Sequence, residues 1–190
     1  MSVGRVLELG IFAIVVVVVA LFTSFVFITM PEKNVSSSGR TLYMSPYKYS
    51  INYPKRWQVV NKSLANLTGG EIELLLAPKN SSNIFLCLFR PKAANGVKAV
   101  EYLMGFEKER YKADPFFTAM IYKSLFSEDE EAEEMFYKTY STALSTDIYH
   151  KKVVIIKNDT LYEMEYFAPS DKYRLFETDA DSIFTSFKKE

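Results

Sequence analysis

Residues 49–60, YSINYPKRWQVV, hold a strand pattern that ends abruptly at Pro54. Apolar and polar residues alternate before the proline, as they do in a half-buried strand. The apolar positions are Tyr49, Ile51 and Tyr53. Pro54 has no backbone N–H, so it is tolerated only at the end or the edge of a strand ladder. Trp57, the only tryptophan of the chain, follows three residues later, and we expect it to cover apolar surface that the turn would expose.

Other short runs on both sides of this stretch also predict strands. The candidates are 42–45, 48–53, 57–60, 71–77 and 83–89. The last of these, NIFLCLF, is apolar at every position except its first, which predicts a central strand covered on both faces. The turn-forming residues PKNSSN separate it from the strand before, so the two should form a hairpin.

The C-terminal part predicts a second hairpin and a closing helix. Strands are expected at 149–157 and 160–168, joined through the turn Asn158-Asp159. Residues 170–187 carry an apolar stripe at helical spacing, which predicts an amphipathic helix packed on the sheet. The stripe consists of Tyr173, Phe176, Ala180, Ile183, Phe184 and Phe187.

The middle of the chain favours helices. Residues 97–112 show helical spacing, and Asp114-Pro115 has the form of a cap followed by a first-turn proline. A second helical piece is therefore expected over 115–125. The tetrad 127–130, SEDE, resembles a capping box and predicts a further helix over the residues EAEEMFYK that follow it.

This order of elements, together with the motif Y-x-I-x-Y-P-x-x-W, resembles the PsbP-like superfamily over about 42–188. The matching residues are Tyr49, Ile51, Tyr53, Pro54, Trp57, Tyr162, Tyr166, Ile183, Ser186 and Phe187. The resemblance implies an α+β fold, an α/β/α sandwich with a central antiparallel sheet, in which Trp57 packs at the sheet's edge. It implies a binding or assembly module without catalytic residues. The helical middle, 97–138, departs from the shortest members.

Ahead of this PsbP-like globular domain, residues 9–30 contain no charge and predict one transmembrane helix. Such a helix would be about 33 Å long, enough to span a hydrocarbon core of about 30 Å. A cleavable signal peptide is the alternative, but its apolar core is shorter and ends in small residues. The expected organisation is a short cytoplasmic tail at 1–8, the anchor, a flexible stalk at 31–41 and the domain at 42–188.

Five of the eight asparagines begin an N-x-[ST] triplet, and all five follow the anchor. They are Asn34, Asn61, Asn66, Asn80 and Asn158. The enrichment indicates asparagine glycosylation and therefore an extracytoplasmic domain. Basic residues flanking the anchor do not favour this orientation, but long domains cross membranes largely regardless of charge. We expect a single-pass protein of the cell membrane.

Composition excludes several classes of function. The 23 acidic residues balance the 23 basic ones, which argues against a nucleic-acid-binding protein. One cysteine and one histidine allow neither an internal disulfide nor a Cys/His zinc site. No cofactor and no metal is expected.

Four features could still carry chemistry. The acidic run Glu128–Glu134 is interpreted as a solvated helix start rather than a cation site, because acids favour that end of a helix. Glu163 and Glu165 share a strand face and could act as paired carboxylates, although alternation in a half-buried strand explains them fully. His150 is expected to be a lone surface or edge residue, and Cys87 an inert core thiol.

The leading functional hypothesis is a membrane-anchored, extracytoplasmic, non-catalytic binding or assembly module. Its expected partners are the lipid bilayer, through 9–30, and an unidentified membrane protein. An extracytoplasmic enzyme such as a hydrolase, using Glu163 and Glu165 or His150, is one alternative. A small-ligand or lipid carrier with a cavity between helix and sheet is another.

Overall fold

A computed structural model of the 190-residue chain describes residues 39–64, 70–125 and 131–189. The predicted tail, anchor and most of the predicted stalk lie outside these residues. Within the described ranges, no helix combines the length and the apolar composition needed to cross a membrane.

The described residues form strands and two α-helices. The strands are β1 (Arg40–Met44), β2 (Tyr49–Pro54), β3 (Trp57–Val59), β4 (Ile72–Pro78), β5 (Phe85–Phe89), β6 (Lys92–Ala93), β7 (Thr118–Ser124), β8 (Glu131–Ser141), β9 (Thr146–Lys157), β10 (Thr160–Pro169) and β11 (Lys188–Lys189). The helices are α1 (Ala99–Ala113) and α2 (Tyr173–Phe184), and a 3-10 turn spans Lys62–Leu64.

The strands pair into two antiparallel sheets. The small sheet has the order β1-β2-β11. The large sheet has the order β3-β4-β5-β10-β9-β8-β7, and the short strand β6 pairs with β10 beside this path. Both predicted hairpins are confirmed, since β4 pairs with β5 and β9 pairs with β10. β5 lies between β4 and β10, as its two apolar faces predicted.

The break at Pro54 is the point where the chain changes sheets. β2, which Pro54 ends, belongs to the small sheet, whereas β3, which Trp57 begins, is the edge strand of the large sheet. The inward side chains of β2 pack in the same core cluster as Trp57. The proline therefore ends one ladder so that the next strand can join another.

The two helices lie on opposite faces of the large sheet. Ile183 of α2 belongs to a core cluster that includes Val153, whereas Leu103 of α1 belongs to a cluster that includes Val154. Consecutive residues of a strand point to opposite faces, so these clusters are on opposite sides. We call these sides the α2 face and the α1 face. The α+β class is confirmed, and the small sheet packs with α2 on the α2 face.

Trp57 is fully buried at the junction between β3 and α2. Its indole N–H donates to the Asp179 carboxylate at 2.8 Å, and the same carboxylate accepts from the Arg56 guanidinium at 2.5 Å. The ring makes edge contacts with Tyr166 and Phe176, at centroid distances of 6.4 and 6.0 Å. The predicted place of Trp57 at the sheet's edge is confirmed.

Two of the predicted helices were wrong. The residues expected as a second helical piece over 115–125 form β7 instead, and the residues EAEEMFYK begin β8. β8 pairs with β9 from Glu131 opposite Ile156 to Ser141 opposite Thr146, and this long ladder overrides the helical preference of Glu, Ala and Met. The predicted capping box, 127–130, lies outside the described residues.

We predict that Trp57→Ala lowers the free energy of unfolding by about 3–5 kcal/mol, as truncations of large buried aromatic residues do. Trp57→Phe keeps a ring in the junction and should cost less, because it mainly removes the hydrogen bond to Asp179. Urea unfolding followed by circular dichroism measures both. Equal losses for the two variants would contradict the packing role of the indole.

Candidate functional site

The residues with chemical potential meet on the α1 face, where β9 and β10 run side by side. The register places Lys152 opposite Glu165 and His150 opposite Phe167. Glu163 lies two residues before Glu165 on β10 and therefore points to the same face. The structure thus brings the two predicted carboxylates and the single histidine together, and it adds a lysine that the sequence reasoning did not single out.

Lys152 is at the centre of this group and is 1% exposed. Its ammonium lies 2.7 Å from Glu165 Oε2 and also contacts Glu163 Oε1. The ring of Phe106, from α1, lies 4.5 Å from the ammonium, and the ring of Phe89 lies 5.0 Å from it. The cation is therefore held by two carboxylates and two aromatic faces, with water excluded.

The remaining carboxylate oxygens bind neighbouring elements. Glu165 Oε1 accepts a hydrogen bond from the Tyr137 hydroxyl of β8 at 2.6 Å. Glu163 Oε2 accepts one from the Tyr102 hydroxyl of α1 at 2.6 Å, and Lys92 donates to that same hydroxyl at 2.8 Å. The buried charges thereby connect β8, β9, β10 and α1.

His150 is buried, and its predicted place at the surface was wrong. Its ring stacks on Tyr137 at a centroid distance of 4.4 Å and faces Phe167 on the other side at 5.6 Å. Nδ1 lies 2.8 Å from Glu165 Oε1, and Nε2 lies 3.0 Å from the Thr139 hydroxyl. Because an ionised carboxylate can only accept, Nδ1 carries the proton that bonds to Glu165. His150 was misplaced because β9 is an interior strand of the sheet.

The pKa shifts follow from these contacts. Burial disfavours both charged forms, but the mutual attraction of Lys152 and its carboxylates is larger. It holds the pKa of Lys152 above its ordinary value and, together with His150, holds the pKa of Glu165 well below its ordinary value. Both groups are therefore charged at neutral pH.

This arrangement fits a structural role better than acid–base chemistry. Each carboxylate oxygen of Glu163 and Glu165 is already bonded to a protein group, and a lysine is the direct counter-ion. The two carboxylates are 3% and 2% exposed, so a reacting group could reach them only by displacing protein contacts.

Cys87 also lies on the α1 face, opposite Glu165 in the ladder between β5 and β10. It is fully buried, and burial followed by the Glu165 charge raises the pKa of its thiol well above the ordinary value. The thiolate needed for nucleophilic or redox chemistry is therefore disfavoured.

The acidic run does not begin a helix where the structure describes it. Glu131–Glu134 lie in β8, and Glu128–Glu130 are outside the described residues. Glu131 accepts a hydrogen bond from the Ala99 N–H at the start of α1, and Glu133 accepts one from Ser124 of β7. Across the described parts of the chain, no three His, Cys, Asp or Glu side chains are grouped so as to hold a metal ion.

Three of the five predicted glycosylation residues are described, and all three are exposed in turns. They are Asn61, Asn80 and Asn158. Asn80 and Asn158 have positive φ, at 63° and 50°. The Asn61 side-chain oxygen accepts hydrogen bonds from both the N–H and the hydroxyl of Ser63, each at 3.0 Å, so the first and third residues of this triplet are in contact. Asn34 and Asn66 lie outside the described residues.

Two exposed apolar surfaces accompany this buried network. β7 is the last strand of the large sheet, and the described residues provide no strand on its outer side. Ile121 on β7 is 59% exposed, and Met120 and the neighbouring Phe116 are exposed as well. The second surface is the outer side of α1, where Val100, Met104 and Tyr111 are exposed.

We predict that Lys152→Met lowers the free energy of unfolding by about 3–5 kcal/mol, because it leaves two buried carboxylates without their counter-ion. Lys138→Met is the matched control on β8, since Lys138 pairs with Asp147 at 3.0 Å but both side chains are about one-third exposed. The control should cost at most about 1 kcal/mol. Similar losses in urea unfolding would contradict the special place of Lys152.

The fold should lose stability at both pH extremes. Glu165 has a lowered pKa, and Asp179 has one too because its hydrogen bonds from Arg56 and Trp57 outweigh burial. Their contribution is present above the unfolded pKa of about 4 and is lost as the pH falls further. Lys152 has a raised pKa, so its contribution is complete below about pH 10 and is lost above it. Urea unfolding at pH 3, 7 and 11 should show the maximum at pH 7; equal stability at pH 3 and 7 would contradict the acid limb.

Comparison with known proteins shows that this chain resembles solved structures in fold but not in sequence. No protein family model and no curated protein matches the sequence. The solution structure of cyanobacterial PsbP from Synechocystis sp. PCC 6803 matches 85% of this chain and 98% of that protein, with a TM-score of 0.63 and 12% sequence identity.

Two other solved structures match less closely. LpqN, involved in cell envelope biogenesis of Mycobacterium tuberculosis, covers 78% of this chain and 89% of its own, with 14% identity and a TM-score of 0.48. The Saccharomyces cerevisiae Ran-binding protein Mog1p covers 79% and 95%, with 6% identity and a TM-score of 0.49. The likeness to the cyanobacterial protein confirms the resemblance seen in the sequence: this chain has the PsbP-like fold.

Proposed function

We propose that this chain is a single-pass membrane protein whose C-terminal domain lies outside the cytoplasm and acts as a binding or assembly module without catalysis of its own. One contrast in the domain carries the proposal. The groups suited to chemistry, Lys152, Glu163, Glu165 and His150, are buried and bonded to one another, whereas the apolar side chains of β7 are exposed beside a sheet edge.

The sequence supports the anchor. Residues 9–30 are uncharged and long enough to span a bilayer as a helix. The eight residues 31–38 then lead to the start of the domain and, at about 3.3–3.6 Å each, reach at most about 29 Å. The domain would therefore stay close to the membrane surface, and so would whatever it binds.

The proposed glycosylation supports the orientation. Asn61, Asn80 and Asn158 are exposed turn residues, where a sugar would not disturb the packing. Asn34 and Asn66 share the same triplet pattern. An asparagine glycan is added only on the lumenal or external side, so use of any of these sites requires the domain to be translocated.

The edge of β7 is the proposed binding surface, and an extended segment of a neighbouring membrane protein is the proposed partner. A strand added beside β7 would satisfy its outer backbone groups, and the exposed Met120 and Ile121 offer side-chain contacts. β7 contains no proline, its only charged residue is Lys123, and its ladder with β8 has one irregularity, between Ala119 and Ile121. The stretch from Ile121 to Ser124 is therefore the regular part of this edge that a partner strand could join. The short stalk favours a partner in the same membrane.

The two alternative functions gain less support. A hydrolase needs a pocket where polar groups converge, and a lipid carrier needs a cavity between helix and sheet. The crevice beside Tyr49, Phe187 and Glu163 lies between the closing helical region and the sheet, and it does not admit water. The PsbP-like fold also supports a binding module, because the resemblance implies no catalytic residues.

One labelling experiment tests both the orientation and the surface. Ile121→Cys places a thiol on β7, and Leu175→Cys places a matched exposed thiol on α2; these positions are 59% and 68% exposed. The native Cys87 is buried and should not react. A membrane-impermeant maleimide added to intact cells should label both variants. A thiol-directed cross-linker should then link position 121, and not position 175, to another membrane protein.

Each negative result has a separate meaning. Labelling that requires an opened membrane would contradict the external orientation. Labelling of both positions in intact cells, with equal cross-linking from each, would contradict the β7 surface while leaving the orientation intact.

A further inference from the structure

The outer side of α1 carries exposed apolar residues that contribute little to the described core. Ala99 and Leu103 are buried against the sheet, whereas Val100 and Met104 are exposed; Tyr111 is also exposed, but its ring packs against Phe117 at a centroid distance of 4.9 Å. Met104 is the most exposed of these, at 59%. An amphipathic helix normally presents a polar outer side to solvent, so this second apolar stripe needs another explanation.

Gly105, beside Met104, is also unexplained by the fold of a single chain. Glycine in a helix interior is less favourable than alanine because it has more backbone freedom to lose. A Cβ atom built on Gly105 would meet no other atom within 4 Å, and the residue lies within regular α-helix. Neither close packing nor an unusual backbone angle in the described domain requires glycine here.

Four exposed residues around this point have the spacing of a helix–helix contact. Glu101, Met104, Gly105 and Lys108 occupy positions i, i+3, i+4 and i+7 of α1, so they form one diamond on its surface. The diamond has an acidic residue at its N-terminal corner and a basic residue at its C-terminal corner. The long Met104 and the side-chain-free Gly105 form the other two corners.

This pattern is complementary to itself. We propose that two copies of this chain associate through α1, with the helices antiparallel and related by a two-fold axis between Met104 and Gly105. The axis places Glu101 beside Lys108 of the second copy, and Lys108 beside its Glu101. It also places Met104 over Gly105 of the second copy, where the missing side chain leaves room. Each contact occurs twice, as in every isologous interface.

The charges of Glu101 and Lys108 favour an antiparallel pair of helices and a second copy of this chain as the partner. Parallel helices in the same register would put each Glu101 beside its equivalent and each Lys108 beside its equivalent, so both contacts would be repulsive. In the antiparallel pair both contacts are attractive. The inference concerns α1 alone and goes beyond the proposed function, because it holds whether or not the domain lies outside the cytoplasm.

The first test is a charge-reversal series on the full chain in density-matched detergent, measured by sedimentation equilibrium. The parent should show a monomer–dimer equilibrium. Lys108→Glu and Glu101→Lys should each weaken dimerisation about tenfold, because each creates two like-charge contacts per dimer. A mixture of these two variants should associate as tightly as the parent, since both contacts are again opposite in charge.

Arg174→Glu on α2 is the matched control. It makes the same change of charge as Lys108→Glu at a side chain that is 86% exposed, and it should leave dimerisation unchanged. All variants share residues 1–38, so any association through that segment affects all of them equally. A monomeric parent, equal effects of Lys108→Glu and Arg174→Glu, or no recovery in the mixture would each overturn the proposal.

The second test uses Gly105→Leu, which should act in opposite directions on the two equilibria. Leucine favours the helix, and its Cβ would meet no atom within 4 Å on this exposed side of α1, so the melting temperature of the monomer should rise. The same side chain would occupy the space of the second copy's Met104, so dimerisation should weaken by at least about tenfold. Dimerisation that is unchanged or tighter in Gly105→Leu would overturn the proposed contact.

Discussion

The ammonium group of Lys152 links β9 to β10 and, through its two carboxylate partners, to β8 and α1. It lies between Glu163 and Glu165, and those carboxylates in turn hold Tyr102 of α1 and Tyr137 of β8. A buried ion pair is not a strong source of stability in itself, because desolvation offsets the attraction. Its value here is specificity: a shift of the ladder by one residue would leave two carboxylates and a cation in an apolar interior without partners.

The two faces of the large sheet are stabilised by different means. The α1 face relies on the charged network, with rings from Phe89 and Phe106 shielding it from water. The α2 face relies mainly on aromatic packing, and its polar contacts tie the sheet to α2 at separate points, Trp57 to Asp179 and Lys151 to Asp181. The α1 face instead concentrates its polar contacts in one buried network around Lys152. In α1 only Ala99 and Leu103 are buried, so the hydrogen bond from Tyr102 to Glu163 adds to the attachment of this helix to the sheet.

Most of the strands and helices could be predicted because a few neighbouring residues mark where each one begins or ends. Pro54 marks the end of β2, and Asn158-Asp159 marks the turn between β9 and β10 with both residues at positive φ. That two-residue turn also places Lys152 opposite Glu165, so the buried ion pair could have been found by counting back from it. The network was missed because His150 was interpreted as a surface or edge residue and Lys152 was not singled out.

Other features could not be predicted locally. β8 is rich in residues that favour helices, and its ladders with β9 and β7 make it a strand. The spacing of α1 predicted a helix, but its apolar residues occur on two sides, and only the sheet decides that Leu103 is inside and Met104 outside. The two-residue strands β6 and β11 carry no signal of their own and depend on β10 and β2.

The junction at Arg40 has a mechanical consequence. The chain enters the domain on β1, whose ladder partner among the described residues is β2. The first pair joins Arg40 to Pro54, and just beyond it the Lys55 N–H donates to the Gly39 carbonyl at 3.1 Å. Tension from the direction of the N-terminus would load this end of the ladder first. The Arg40 guanidinium donates to the backbone oxygens of Asn52 at 2.6 Å and Ser182 at 3.1 Å. A pulling force is thereby shared between β2 and α2, so the first strand resists being peeled from the domain.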